Sequence, residues 1–227
     1  MNLVSLAAGS VGAVLFDLDG TLVDSAPDLA GAGNDMRVAR GLPVLPLTHF
    51  RPMVGSGARG MVERALGVLP PDPAFAECRD EFLARYEARM TRETRVFEGL
   101  PPVLAAFARH AMLWGIVTNK ASRYSVPLVR SLAALDAAAT LVCGDTTPHA
   151  KPHPAPLLEA ARRLRVDPSR CLYVGDDLRD VQAGTAAGMA TIAVRWGYLG
   201  SGEPIESWGA SFVIASPGEL LKLLAMT

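Results

Sequence analysis

Short apolar runs bounded by turn residues alternate along this chain with segments of helical periodicity, the pattern of a parallel α/β sheet. The first run, Val11 to Phe16, reads as a buried strand that stops at Asp17. Only helical patterns follow it until about Phe97. Ser25-Ala26-Pro27-Asp28 has the form of a capped helix start with proline in the first turn, and Gly41 closes that helix. Further helices are predicted over residues 48–54, 58–66 and 73–90. The all-helical block, residues 24–98, reads as a module inserted into a core whose two parts are residues 1–23 and 99–227.

Alternation resumes after Phe97-Glu98-Gly99. Pro101-Pro102 opens a helix, and strands are predicted over 112–118, 140–143, 171–175 and 190–194, the last clear strand. Helices over 121–135, 154–164 and 178–187 separate them, and residues 217–226 form a closing helix.

Composition narrows the function classes. A formal net charge of -1 argues against nucleic acid as a main partner, because a surface that tracks phosphates needs a basic excess. The apolar stretch from Leu3 to Phe16 lacks a basic leader and runs straight into Asp17-Leu18-Asp19, so it is not read as a secretory signal. No segment is long and apolar enough to suggest a membrane partner. Cys78, Cys143 and Cys171 are odd in number and widely spaced, which suits reduced, buried thiols in a cytoplasmic setting. Nothing in the pattern distinguishes a monomer from a homodimer. Only Lys120, Lys151 and Lys222 are lysines among 22 basic residues, and two of them stand beside the chemical signals below.

Four polar signals fall at the carboxyl ends of predicted strands, the edge where open α/β sheets bind ligands. They are Asp17-Leu18-Asp19-Gly20-Thr21, Thr118-Asn119-Lys120, Lys151-Pro152-His153-Pro154 and Gly175-Asp176-Asp177-Leu178-Arg179-Asp180. Two carboxylates two residues apart can divide nucleophile and acid/base roles. Carboxylates from a separate strand complete an oxygen-rich site suited to Mg²⁺. A hydroxyl and a lysine supply donors to an oxyanion on phosphorus, and together these are the parts of a phosphoryl-transfer site. Each signal also has a plainer reading. Asp17-Leu18-Asp19-Gly20 could be half a calcium loop, but its glycine comes too early and the closing glutamate is missing. Lys151 could be a surface loop residue, and the acids from Asp176 to Asp180 could merely complement a helix dipole. The ordered placement at four strand ends favours the joint reading.

With those four motifs in that order, the chain resembles the haloacid dehalogenase superfamily over nearly its whole length, most specifically in Asp17 to Ser25. The resemblance implies a Rossmann-like parallel-sheet core with an inserted helical cap. It further implies that Asp17 is the nucleophile that forms an aspartyl-phosphate and Asp19 the acid/base. Thr118 and Lys151 would be catalytic groups holding the phosphoryl group, with Asn119 beside them in substrate binding. Asp17, the backbone carbonyl of Asp19, and Asp176 would hold Mg²⁺. Asp180 would orient Lys151. Asp177 departs from the family pattern, which often has serine there.

Several features are decoys or discriminators. Gly55-Ser56-Gly57-Ala58-Arg59-Gly60 matches a dinucleotide fingerprint in form, but no strand precedes it. In the resemblance it is the cap loop facing substrate, with Arg59 as its expected anion contact, set against a solvated helix arginine. His149 and His153 have a zinc-compatible spacing spoiled by neighbouring prolines. Trp196-Gly197-Tyr198 reads as packing at the site rim, and Phe82 and Tyr86 as cap core. The presence of Asp19 argues against dehalogenation, and a cap without lysine argues against a Schiff-base phosphonatase. The strings 54–66 and 114–120 resemble bacterial phosphoglycolate phosphatases and also N-acetylmuramic acid 6-phosphate phosphatases. The expected partner is therefore a small phosphomonoester, 2-phosphoglycolate first and the muramate sugar phosphate next. A sugar-phosphate mutase and a non-catalytic metal-binding module are the remaining readings.

Overall fold

The computed structural model describes residues 11–200 and 202–226; the segment 3–10, read above as part of an apolar start, lies outside them. At the centre is β1 (Ala13–Phe16), with all four residues buried. Successive strand side chains point to opposite faces of a sheet, so a run buried on both faces is continuously apolar. Val14 and Phe16 pack on one face with α5 (Leu100–Arg109), α6 (Ser122–Arg130) and α9 (Pro217–Leu223). Ala13 and Leu15 pack on the other with α7 (Ala155–Leu164) and α8 (Leu178–Ala186).

Six strands form the parallel sheet in the order β5-β4-β1-β6-β7-β8. They are β4 (Leu113–Val117), β5 (Leu141–Val142), β6 (Cys171–Gly175), β7 (Ala190–Val194) and β8 (Phe212–Ile214), beside β1. From β1 the chain moves outward through β4 and β5, then returns to add β6 on the other side. That reversal places the crevice between the carboxyl ends of β1 and β6, the position where such sheets bind ligands. No helix among the described residues is long and apolar enough to cross a membrane.

Between the halves of the core stand α1 (Ala26–Val38), α2 (Leu47–Phe50), α3 (Gly57–Leu66) and α4 (Phe75–Glu87), packed around Met36, Phe50, Met61, Phe82 and Tyr86. The chain enters this block through β2 (Val23–Asp24) and leaves through β3 (Arg95–Val96), which pair antiparallel as a two-stranded ribbon. Asp28, fully buried on α1, fastens the return. One of its oxygens accepts from the backbone N–H groups of Glu93 (3.0 Å) and Thr94 (2.8 Å) and from the Thr94 hydroxyl (2.8 Å).

Besides the β2–β3 ribbon, which frames a block read as all-helical, three elements differ from the sequence expectation. The helix expected over 48–54 is the short α2 followed by a 3₁₀ turn, Arg51–Ser56, because Pro52 has no N–H to continue an α-helical ladder. The helix expected over 121–135 stops at Arg130, where the Ser131 hydroxyl takes the Leu128 carbonyl (2.7 Å) and a 3₁₀ turn, Ala133–Leu135, follows. β8 was not anticipated, since three residues are too short to show a period.

Replacing Asp28 with alanine leaves the buried N–H and hydroxyl of Thr94, and the half-buried N–H of Glu93, without their acceptor. The loss expected is about 2–4 kcal/mol of stability, read as a lower urea midpoint at unchanged slope. A midpoint equal to wild type would show that the ribbon and helix packing hold the cap without this residue.

Candidate active site

All four polar signals converge above the carboxyl ends of the central strands. Asp17 follows β1, and its backbone N–H donates to the Val174 carbonyl of β6 (2.9 Å), which fixes it beside Asp176. Gly20 is required in the turn between them: its φ is +88°, and a Cβ there would lie 2.1 Å from Asp176 Oδ2. Asp176 is 4 % exposed. Its Oδ1 accepts from the Thr21 hydroxyl (2.9 Å) and its Oδ2 from the Tyr198 backbone N–H (2.8 Å). Gly197 leaves room for that approach, since a Cβ there would lie 2.2 Å from Asp176 Cβ, and the Trp196 indole N–H binds the Thr21 carbonyl (3.0 Å). The tripeptide expected as rim packing thus frames a carboxylate.

Lys151 is 5 % exposed, and its ammonium is enclosed by oxygens. Nζ lies 2.8 Å from Asp17 Oδ1, 2.7 Å from Asp180 Oδ1, 2.8 Å from the Tyr173 hydroxyl and 3.1 Å from the Val117 carbonyl. The orienting role expected for Asp180 matches this geometry, whereas Tyr173, inside an apolar strand, gave no signal. Asn119, expected at the substrate, spends its amide on the lysine's own backbone: Nδ2 donates to the Lys151 carbonyl and Oδ1 accepts from its N–H, both at 2.9 Å. Thr118 is buried beside them and lines the cavity. Burial alone would lower the Lys151 pKa, but the Asp17 and Asp180 carboxylates outweigh it and hold the ammonium protonated.

Burial pushes the Asp17 carboxyl up to about 7, with Asp180 and Asp19 adding to the rise and Lys151 opposing it. Asp176 is also raised well above the usual carboxylate range, by burial first and then by Asp17 and Asp180. Asp17, Asp176 and Asp180 each place an oxygen within 4.8 Å of the others. Three carboxylates against one ammonium leave negative charge in a buried site, and hard oxygen donors are what Mg²⁺ takes. The residues therefore fit a magnesium ion held by Asp17 and Asp176. Asp177 is not a member of that cluster. It caps α8, accepting from the Arg179 backbone N–H (2.9 Å), and its carboxylate is also paired with the Arg179 guanidinium (2.7 Å).

Asp19 meets a different set of partners. The Lys120 ammonium reaches both its oxygens, at 2.9 and 2.8 Å, and the Ser25 hydroxyl donates to Oδ1. The Tyr198 hydroxyl accepts from the backbone N–H groups of Ser25 (2.9 Å) and Ala26 (3.1 Å), so the start of α1 is anchored to the core loop after β7. The sequence suggests only a helix cap for Ser25 and no separate role for Lys120, although Lys120 belongs to the Thr118-Asn119-Lys120 motif.

Above these groups lies a cavity of about 400 Å³, lined by Asp17, Asp19, Lys120, Lys151 and Asp176 below and by Leu29, Phe82 and Tyr86 from the cap. The loop from Val54 to Ala58 borders it, and Arg179 donates from the core to the Gly55 carbonyl, joining the glycine-rich loop to α8. Arg59, expected to face the substrate, is exposed on α3 and is not among the lining residues. A helix turns each successive side chain by about 100°, so Ala58 lines the cavity while its neighbour faces water. His149 and His153 lie on the exposed loop before α7 with their rings 4.3 Å apart, and belong to no three-ligand cluster among the described residues.

A carboxylate at the end of β1, a second carboxylate two residues on, and an acidic cluster only partly offset by Lys151, all at the switch point of a parallel sheet, are the parts of a phosphoryl-transfer centre. The chain belongs to the haloacid dehalogenase-like hydrolase family, whose model matches residues 14–194. It is 42 % identical over 212 residues to the N-acetylmuramic acid 6-phosphate phosphatase of Pseudomonas aeruginosa, covering 93 % of this chain and 94 % of that protein. With the phosphoglycolate phosphatase of Xanthomonas campestris it shares 44 % identity over 210 residues, covering 92 % and 94 %. A crystal structure of a predicted phosphoglycolate phosphatase from Haemophilus somnus superposes with a TM-score of 0.82 at 25 % identity, covering 94 % of this chain and 98 % of the other. These relatives make the chain a phosphoric monoester hydrolase.

The raised carboxyl groups give the metal site a pH signature. In metal-free protein, a folded pKa of about 7 for Asp17 against an ordinary 3.8 contributes stability below 3.8 that is lost as pH rises through about 7. Magnesium binds the ionised forms, so it should raise the melting temperature of chelator-treated protein more at about pH 8 than at about pH 5.5. Equal shifts at the two pH values would remove Asp17 and Asp176 as its ligands.

Proposed function

We propose that the protein hydrolyses a small, carboxylate-bearing phosphomonoester by way of a phosphorylated Asp17. The observation that carries this reading is the buried Lys151 ammonium 2.8 Å from Asp17, under a cavity that Asp19 also lines. Asp17 attacks phosphorus in line with the leaving oxygen, while Lys151 and the Thr118 hydroxyl donate to the phosphoryl oxygens. Asp19 gives its proton to the leaving alcohol. As a carboxylate it then takes a proton from water, which attacks the aspartyl-phosphate and frees Asp17 and inorganic phosphate. Asp17, Asp176 and the Asp19 carbonyl would hold magnesium, which would supply positive charge against the phosphoryl oxygens. The cap excludes bulk water, so each of these contacts acts in a low dielectric.

Both named relatives' substrates combine a phosphate with a carboxylate, which supports that substrate class here. The cavity of about 400 Å³, with Leu29, Val54, Phe82, Leu83 and Tyr124 in its walls, supports the larger muramate sugar phosphate. Identity of 44 % to the Xanthomonas enzyme supports 2-phosphoglycolate, the first expectation from sequence. Three free, buried cysteines support a reduced, cytoplasmic setting.

The test is phosphate release by the magnesium-loaded enzyme, comparing kcat/KM for the two acids with that for an aryl phosphate. A higher value for at least one acid is expected; a uniformly better aryl phosphate would end the carboxylate reading. Asp17→Asn should lower turnover by at least about 10³-fold on every substrate. A pure variant retaining more than that would remove Asp17 as the nucleophile.

A further inference from the structure

A phosphatase that selects a carboxylate needs a cation or donor aimed at it, and Arg59 does not line the cavity. The lining contains three cations: Lys120, Lys151 and Arg179. Lys151 is surrounded by four oxygens of its own neighbours. Arg179 is spent on Asp177 and the Gly55 carbonyl. Lys120 differs from both. An ammonium has three donors, and Asp19, its carboxylate partner, offers two oxygens to them. A third N–H is left, and the ammonium lies 4.8 Å from the centre of the Tyr86 ring on the cap helix α4.

Tyr86 adds an independent observation. It is 2 % exposed and lines the same cavity, and apart from the Lys120 ammonium, whose charge opposes the upward push of burial on the phenol, its hydroxyl has no hydrogen-bond partner among the described residues. A buried hydroxyl left unpaired is costly and is retained where something else satisfies it. The apolar companions Leu29, Phe82 and Leu83 offer it nothing.

We propose that the Lys120 ammonium and the Tyr86 hydroxyl form the subsite that receives the substrate's carboxylate, a proposal that rests on the substrate class inferred above. The carboxylate accepts from the third N–H of Lys120 on the core and from the phenol on the cap. Such a ligand bridges the two layers, so binding the correct acid also closes the cap over Asp17. A compact ammonium, unlike a guanidinium fork, accepts a carboxylate over a range of approach angles. One subsite can thereby serve acids whose carboxylate stands at different distances from the phosphate.

The experiment uses pairs with and without the carboxylate: 2-phosphoglycolate with 2-hydroxyethyl phosphate, and N-acetylmuramic acid 6-phosphate with N-acetylglucosamine 6-phosphate, which lacks the whole lactyl group that carries it. The readout is the ratio of kcat/KM within a pair, which cancels any loss that falls equally on both members. Wild type should prefer the acid in at least one pair. Lys120→Met should reduce that preference by about tenfold to a hundredfold, and Tyr86→Phe by about threefold to tenfold, the scale of a charged and a neutral hydrogen bond. If Lys120→Met does not fold, Tyr86→Phe, which keeps the ring, decides the matter alone once its melting temperature shows it folded. A preference that survives unchanged in the folded variants overturns the subsite and leaves Lys120 as a partner of Asp19 only. Absence of any preference in wild type overturns the carboxylate substrate class itself, and this subsite with it.

Discussion

An ammonium removed from water must be met by opposite charge and hydrogen bonds, and the way Lys151 is met organises this molecule. Its four oxygen neighbours come from β1, β4, β6 and α8, so satisfying one side chain brings four elements to a common point. Each partner is constrained in turn. Tyr173 also bonds the Val117 carbonyl and Asp180, while Asp180 accepts the Asp177 N–H in the capping box that starts α8. Asn119 fastens the lysine's own loop to the end of β4. Lys151 is therefore both the positive charge of the site and the tie that aligns Asp17 with it. Arginine would not fit here, since a planar fork does not share one point with four converging oxygens.

A second consequence is electrostatic. Lys151 offsets the carboxylates only partly, and the remaining repulsion with burial raises Asp17 and Asp176 together. The carboxylates are held close by backbone geometry, through the β1–β6 pairing and the glycine turn at Gly20, and so do not relax apart. A site built this way is arranged for a cation, and its stored repulsion is released when one binds.

The cap is joined to this centre at several independent places. Tyr198 holds the start of α1, Arg179 holds the glycine-rich loop, and Tyr86 lies over Lys120 and against Tyr124 of α6, with ring centres 5.8 Å apart in the latter pair. The hinge ribbon carries only two residue pairs, Val23 with Val96 and Asp24 with Arg95. The helical block is thus joined to the core by a short ribbon and by contacts at and beside the cavity.

The strands β6 and β7 were legible in sequence because burial on both faces writes a continuous apolar run, and after β6 the acids follow it directly. Asp17 and Asp176 stand directly after β1 and β6, where polarity interrupts an apolar run, Asp19 follows two residues later, and Lys151 stood out as a lysine in an arginine-rich chain. Residues whose role depends on distant partners were not legible. Tyr173 looks like one more apolar strand residue until Lys151 arrives beneath it, and Ser25 looks like a helix cap until Asp19 turns toward it. The greatest difference concerns the cation facing the substrate. Ten arginines in the cap made Arg59 the natural expectation, but which side of a helix meets a cavity is fixed by how the cap seats on the core. Sequence by itself determined most of the core strands and the order of the polar motifs, since those are set by local periodicity and residue chemistry. Only the tertiary structure decided that Lys120 and Tyr86, 34 positions apart and on different layers, stand together at the wall of the cavity.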